Sequence, residues 1–166
     1  MVMKRNHSFT HLQTVPHEAW SELCRAVTQV HHRIRNEPDF CWLGKPLIVY
    51  NHSGTKPLRY DDSMVGLGVI SFNGDFGTGL SGDPLCLIRL FSSERQQSQC
   101  DTGHHPYDFM VMAVLLLVNH YCPTCYALHS TVERTEWQQI SDWLNTHLHL
   151  AVMLPPGLQQ TDAIIG

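Results

Sequence analysis

Residues 100–125 read CDTGHHPYDFMVMAVLLLVNHYCPTC and contain the longest apolar run of the chain. The run covers residues 109–118, which is too short for a transmembrane helix because a bilayer-spanning helix needs about 20 residues. A helix over residues 106–121 would be apolar on all sides. Such a helix must be enclosed by the rest of its domain. The stretch therefore predicts a central buried helix around which the fold is built.

Polar residues mark the start of this helix. Pro106 suits the first helical turn, and Asp108 suits the positive end of the helix dipole. Asp101 or Thr102 is the expected capping residue. These residues fix the beginning of the helix but do not identify a reaction.

The composition predicts a globular protein with a core of its own. The chain has 166 residues, of which 43% are hydrophobic and 16% charged, so one domain over residues 1–166 is expected. Its formal net charge is −4, and the absence of a basic excess makes nucleic acid an unlikely partner. The first 13 residues have no apolar segment typical of a secretion signal. We therefore expect a cytoplasmic location, reduced cysteines and no membrane partner.

The remaining elements follow from hydrophobic periodicity. Residues 16–36 and 135–150 have helical spacing, with Thr14 and Thr135 as expected caps. Short apolar segments between turn residues predict four strands, over residues 46–50, 64–72, 84–91 and 125–130. The element order is then α-β-β-β-α-β-α, which favours a single α+β domain with a mostly antiparallel sheet of about four strands packed against three helices. Residues 1–13 and 155–166 are expected to be peripheral.

The cysteines and histidines around the central helix raise the question of a metal site. A helix of this length separates its ends by about 24 Å, so one ion cannot bind residues at both ends. A compact alternative uses the four soft side chains after the helix, which are His120, Cys122, Cys125 and His129. The strand pattern that follows puts Cys125 and His129 on one face, which simple core packing also explains. We expect no metal or other cofactor, and zinc at these four residues stays the alternative.

Two enzymatic alternatives are open. Leu128-His129-Ser130-Thr131-Val132 has the pattern that two-histidine phosphoesterases use twice, which would make His129 and Thr131 catalytic. A second copy on a strand is missing. The element order also fits an N-acyltransferase-type fold, with the turn over residues 99–105 presenting backbone amides to a pyrophosphate. That turn has only one glycine and an aspartate where an anion should bind.

A glycine-rich segment lies between two predicted strands. Residues 77–82 read GTGLSG and match GxGxxG, but a proline-led strand rather than a helix follows them. A phosphate-binding loop of this type needs a helix at that point. Turn chemistry accounts for the glycines, and a loop of this length is typical of a contact surface.

Short motifs resemble a set of small proteins encoded by bacteriophages and other mobile elements. The motifs are FNG at residues 72–74 and C-x-T-x-x-x-PYD at residues 100–108, and the likeness extends over roughly Val65 to Leu144. The set has lysine at the position of Asp101 and has no assigned function. The resemblance implies a protein made in a bacterial cytoplasm that acts on host or rival machinery.

The resemblance also implies where a site would lie. The end of a strand and the first turn of the central helix would meet there, and the adjacent histidine pair could contact an anion or a partner. The candidate binding residues are Asn73, Gly74, Thr102, His104, His105, Tyr107 and Asp108. With no complete catalytic set, the sequence favours a chain that binds another macromolecule, with a protein as the expected partner, without catalysis.

Overall fold

The computed structural model describes residues 5–59 and 67–158 of the chain. In these residues, five strands lie between the N-terminal helix and the central apolar helix. In chain order the helices and strands are β1 (Asn6–His11), α1 (His17–Arg35), β2 (Cys41–Trp42), β3 (Lys45–Pro46), β4 (Val69–Phe72), β5 (Leu85–Ile88), β6 (Gln97–Asp101), α2 (Asp108–Tyr121), β7 (Tyr126–Ser130) and α3 (Arg134–Leu148). The described residues form one α+β domain, as the sequence predicts.

Helix α2 is the centre of the hydrophobic core. Every side chain from Asp108 to Val118 is buried, and α1, α3 and β7 pack around the helix. The enclosed apolar helix predicted over residues 106–121 is therefore confirmed over Asp108–Tyr121, whereas the predicted cap, Asp101 or Thr102, is wrong because Tyr107 occupies the N-cap position. Its polar N-terminal residue, Asp108, is buried together with the apolar run, and this burial requires partners from elsewhere in the chain.

Strand β1 lies in the middle of a three-stranded antiparallel sheet with the order β6-β1-β7. The prediction that residues 1–13 are peripheral is therefore wrong for residues 6–11. The strand alternates regularly, with His7, Phe9 and His11 on the buried face. Two of these three are histidines, so the strand has no apolar alternation that sequence reasoning could recognise.

Strands β4 and β5 form a separate antiparallel hairpin. Both are shorter than the predicted strands over residues 64–72 and 84–91, and residues 64–66 lie outside the described part of the chain. The strand predicted over residues 46–50 is wrong as a continuous element. Only Lys45–Pro46 pairs with β2, and Tyr50 forms isolated bridges to Pro57 and Asn73. The backbone of this segment changes partner along its length, and Pro46 has no N–H to donate.

The ends of the helices differ from the predicted caps. Pro16 and Glu133 occupy the N-cap positions of α1 and α3, and neither makes a side-chain capping bond. The Thr14 hydroxyl instead accepts a hydrogen bond from the backbone N–H of Phe91. The predictions of Thr14 and Thr135 as caps are wrong because tertiary contacts decide how the chain enters each helix.

The C-terminal segment packs against β7. Pro156–Leu158 forms a 3-10 turn in which Leu158 is buried, and Gly157 lies against the carbonyl of Leu128. The predicted peripheral position is therefore wrong for residues 155–158, and residues 159–166 lie outside the described chain. No helix in residues 5–59 and 67–158 has both the length and the apolar character that a membrane span needs.

Candidate functional site

The end of β4 and the first turn of α2 meet, as the resemblance implies. A methyl group added at Gly74 would overlap the Leu80 carbonyl and lie 2.8 Å from Cδ1 of Tyr107. One added at Gly82 would lie 2.7 Å from the Tyr107 hydroxyl. The Tyr107 ring thus lies against two glycines at the two ends of one loop, which we call the 74–82 loop. Larger side chains at either glycine would displace the tyrosine.

Asn73 closes the 74–82 loop with its side-chain amide. Its Oδ1 accepts hydrogen bonds from the backbone N–H groups of Gly74, at 2.7 Å, and Gly82, at 3.1 Å. Its Nδ2 donates to the carbonyls of Gly82, at 3.1 Å, and His52, at 3.2 Å. Asn73 is buried, so its bond to the Gly74 N–H is shielded from water and the other three bonds are partly shielded. The asparagine holds both ends of the loop and ties it to the neighbouring turn.

The carbonyl of Asp83 is a second anchor of the loop. It accepts a hydrogen bond from the Tyr107 hydroxyl at 2.5 Å and a weaker one from the Cys100 thiol at 3.3 Å. Burial raises the pKa of both donors well above their ordinary values, so both stay protonated and able to donate. The motif residues Asn73, Cys100 and Tyr107 therefore act together to fix one loop.

The 74–82 loop presents an aromatic side chain to solvent. Phe76 is 68% exposed, and its backbone N–H donates to the carbonyl of Gly54 at 2.9 Å. The Asp75 carboxylate accepts from the N–H of Gly77 and the hydroxyl of Thr78, each at 2.9 Å. Loop-internal bonds and anchors on both sides thus hold the phenylalanine in place although its ring contacts water.

Asp108 faces away from the loop into a buried polar cluster. Its carboxylate accepts from Arg5 Nε at 3.0 Å, His7 Nε2 at 2.7 Å, Thr102 Oγ1 at 2.8 Å and Trp42 Nε1 at 3.2 Å. Arg5 also pairs with Glu136 of α3 at 2.9 Å. Burial alone would raise the pKa of Asp108, but the hydrogen bonds and charges of His7 and Arg5 outweigh it and lower the pKa to about 2.

His7 connects this cluster to Ser130. The ring lies between the two groups, with Nδ1 2.8 Å from Ser130 Oγ and Nε2 2.7 Å from Asp108 Oδ1. The order serine–histidine–aspartate is that of an activated nucleophile. However, the ring of His7 is fully buried and packs edge-on against Trp137, with centroids 5.4 Å apart. The two hydrogen bonds of this buried ring hold β1 against β7 and against the start of α2.

The other candidate residues are dispersed. Thr102 joins the Asp108 cluster, whereas His104 is exposed on the turn that precedes α2, with a positive φ of 65°. His105 is half-buried, and burial, with the nearby charge of Lys45, lowers its pKa. No side-chain hydrogen bond or ring contact among the described residues links either histidine to the 74–82 loop, and the side chain of Tyr107 is buried.

The residues of the metal and hydrolase alternatives do not converge. Among the described residues no group of three or more His, Cys, Asp or Glu side chains is placed to hold a metal ion. His129 is exposed on β7, whereas Cys122 and Cys125 are buried. Thr131 Oγ1 accepts a hydrogen bond from the backbone N–H of Asn6 at 2.9 Å, so it links β7 to β1.

Arg5, His7, Trp42, Ser130 and Glu136 are cluster residues that sequence reasoning missed. They come from four separate segments, in which only Arg5 and His7 are close in sequence, so no single local spacing connects them. Comparisons of the chain with protein-family models, with curated proteins and with solved structures found no match. The geometry of the two neighbouring sites is thus the basis for a functional proposal.

Replacing Tyr107 by phenylalanine tests how the 74–82 loop is held. We expect Tyr107→Phe to lower the free energy of unfolding by about 1 kcal/mol, because the partly buried hydrogen bond to the Asp83 carbonyl is lost. Hydrogen exchange of the loop amides should also become faster than in the wild type. Tyr121→Phe is the matched control, since that side chain is half-buried and has no hydrogen bond to its hydroxyl among the described contacts. Unchanged exchange in the 74–82 loop would contradict the anchoring role.

Proposed function

We propose that this protein acts by binding another protein through the 74–82 loop, without catalysis. The observation that carries the proposal is the exposed aromatic ring of Phe76 on a loop whose two ends are fixed by buried residues. An isolated exposed apolar residue is common on protein surfaces. A loop anchored by Asn73 and Tyr107 to present such a residue is a more specific arrangement.

The energetics favour recognition at Phe76. Ordering a loop on binding costs free energy, and a loop that is already ordered avoids most of that cost. Aromatic side chains are also enriched among the residues that contribute most to protein interfaces. The Asp75 carboxylate is occupied by bonds within the loop, so the partner would meet an apolar tip with polar surroundings. A partner with an apolar pocket fits this surface best.

The resemblance to mobile-element proteins supports a bacterial protein as the partner. A chain made by such an element acts among host proteins, and a small binding module without a cofactor is consistent with that context. The formal net charge of −4 makes an RNA or DNA partner less favourable than a protein. The cytoplasmic location and the identity of the partner stay predictions.

Site-specific crosslinking from Phe76 tests the proposal. We expect a photo-crosslinking phenylalanine analogue at position 76 to capture one bacterial protein, and the same analogue at Met153 not to capture it. Met153 is the control because its side chain is 76% exposed and lies outside the loop. With the purified partner, Phe76→Ala should raise the Kd about tenfold. This is the loss expected when an interface residue of moderate importance is truncated.

The stability of the variant separates binding from folding. The free energy of unfolding of Phe76→Ala should stay within about 0.5 kcal/mol of the wild type, as expected for an exposed side chain. Equal crosslinking from positions 76 and 153, or full affinity of the alanine variant, would refute the proposal.

A further inference from the structure

A second feature is a cavity between the β4–β5 hairpin and the β6-β1-β7 sheet, whose lining shares no residue with the 74–82 loop. It has a volume of about 570 Å³ and is lined by residues of β1, β5, β6 and β7 and of the segment between β5 and β6. Small-molecule sites in proteins are typically about 300–1,000 Å³ in volume. The cavity is therefore large enough for a metabolite-sized ligand.

The fold keeps this cavity open. The N–H of Asp83 donates to the Asp101 carbonyl at 2.9 Å, which links the start of β5 to the end of β6. On the other side, the Tyr126 hydroxyl donates to the Ile88 carbonyl at 2.6 Å. Between these links β5 and β6 are not paired, since they belong to different sheets. These two hydrogen bonds connect the β4–β5 hairpin to the three-stranded sheet, and the space between the two bonds is the cavity.

Aromatic rings form the floor of the cavity. The imidazole of His11 stacks on the Tyr126 ring, with centroids 4.4 Å apart and an angle of 11° between the planes. Phe91 packs edge-on against His11, and Phe9 packs edge-on against Tyr126, at 5.6 and 5.8 Å. All four rings line the cavity. This floor suits a flat apolar group, because aromatic pairs gain stability in such geometries.

The floor is also uncharged near neutral pH. Burial lowers the pKa of His11, although a backbone hydrogen bond with Gln13 opposes the shift. The side chain is 5% exposed and lines the cavity, so the part of the ring that is accessible belongs to the neutral form. A neutral aromatic floor accepts an apolar ring without the desolvation cost of burying a charge.

Two opposite charges lie at the rim. Glu94 and Arg95 are adjacent, both line the cavity and both side chains are exposed. Neither belongs to an ion pair among the described residues. A ligand with a single charge would be attracted by one of them and repelled by the other, whereas a zwitterion satisfies both.

We propose that this cavity binds an aromatic α-amino acid. The ring lies on the floor formed by Phe9, His11, Phe91 and Tyr126, the carboxylate contacts Arg95 and the ammonium group contacts Glu94. Arginine suits this role because its planar guanidinium donates two parallel hydrogen bonds to a carboxylate.

Titration with L-phenylalanine and two analogues tests the assignment. Binding is followed by the backbone amide signals of β1 and β7 in two-dimensional NMR. We expect saturable binding of L-phenylalanine and binding at least about tenfold weaker of 3-phenylpropionate, which lacks the ammonium group, and of phenethylamine, which lacks the carboxylate. No saturable binding of L-phenylalanine at millimolar concentrations would overturn the proposal.

Variants at the rim make the test specific. In Arg95→Gln, L-phenylalanine should bind no more tightly than phenethylamine, and in Glu94→Gln no more tightly than 3-phenylpropionate. Both side chains are exposed, so both variants should fold normally. Discrimination that persists in both variants would overturn the contacts assigned to the rim. Phe76→Ala is the control outside the cavity and should bind L-phenylalanine as the wild type does, so this test is independent of the proposed protein-binding function.

Discussion

Asp108→Asn should lower the free energy of unfolding by about 3–5 kcal/mol, the loss expected when one partner of a buried ion pair is removed. Arg5 and Asp108 are both buried and lie 2.8 Å apart. The amide cannot balance the guanidinium charge, and its NH₂ group would face other hydrogen-bond donors. Equilibrium unfolding in urea measures the difference. Glu22→Gln is the control, because it breaks an exposed pair with Arg25 at 3.1 Å and should change stability by less than about 0.5 kcal/mol.

The pH dependence gives the same prediction a second readout. The pKa of Asp108 is lowered to about 2 in the folded protein, below about 3.9 for an unfolded chain, mainly because the contacts of His7 and Arg5 overcome the effect of burial. The ionised carboxylate therefore stabilises the fold above about pH 4, and this contribution is lost as the pH falls from about 4 to about 2. The asparagine variant should lack this step. Parallel stability curves of wild type and variant over that range would contradict the assignment.

The central helix could be predicted because its signal is local. Ten consecutive apolar residues that are too few for a membrane span have to be buried, and residues 109–118 are buried as expected. The contact between the strand end and the helix start is also confirmed, since Tyr107 lies against Gly74. What the resemblance did not indicate is that Asp108 points away from that contact.

Strand β1 and the Asp108 cluster could not be predicted for a common reason. His7 is buried on β1 because Asp108 and Ser130, which are more than a hundred residues away in the chain, each bond one of its ring nitrogens. Without those partners a histidine in a short polar segment indicates an exposed strand or a loop. The Asp108 cluster and strand β1 therefore depend on hydrogen bonds between residues far apart in the chain. Hydrophobic periodicity reports only local patterns and cannot reveal such bonds.

Gly74→Ala tests the loop on which the proposed function depends. The added methyl group would overlap the Leu80 carbonyl and contact the ring of Tyr107, and both neighbours are held in place by the fold. We expect a loss of about 3 kcal/mol in the free energy of unfolding, near the upper end for overpacking, because backbone rather than a flexible side chain must move. Urea unfolding measures this loss.

Gly77→Ala is the matched control within the same loop. A methyl group there would meet only Asp75 Oδ1, at 3.4 Å, so stability should change by less than about 1 kcal/mol. Since Gly74→Ala displaces the base of the 74–82 loop while leaving Phe76 in the sequence, it should weaken partner binding at least as much as Phe76→Ala. A folded Gly74→Ala variant with full affinity would show that the aromatic side chain is recognised without its anchored loop. If Gly74→Ala binds the partner weakly and Gly77→Ala binds it as the wild type does, recognition depends on how Asn73 and Tyr107 hold the loop.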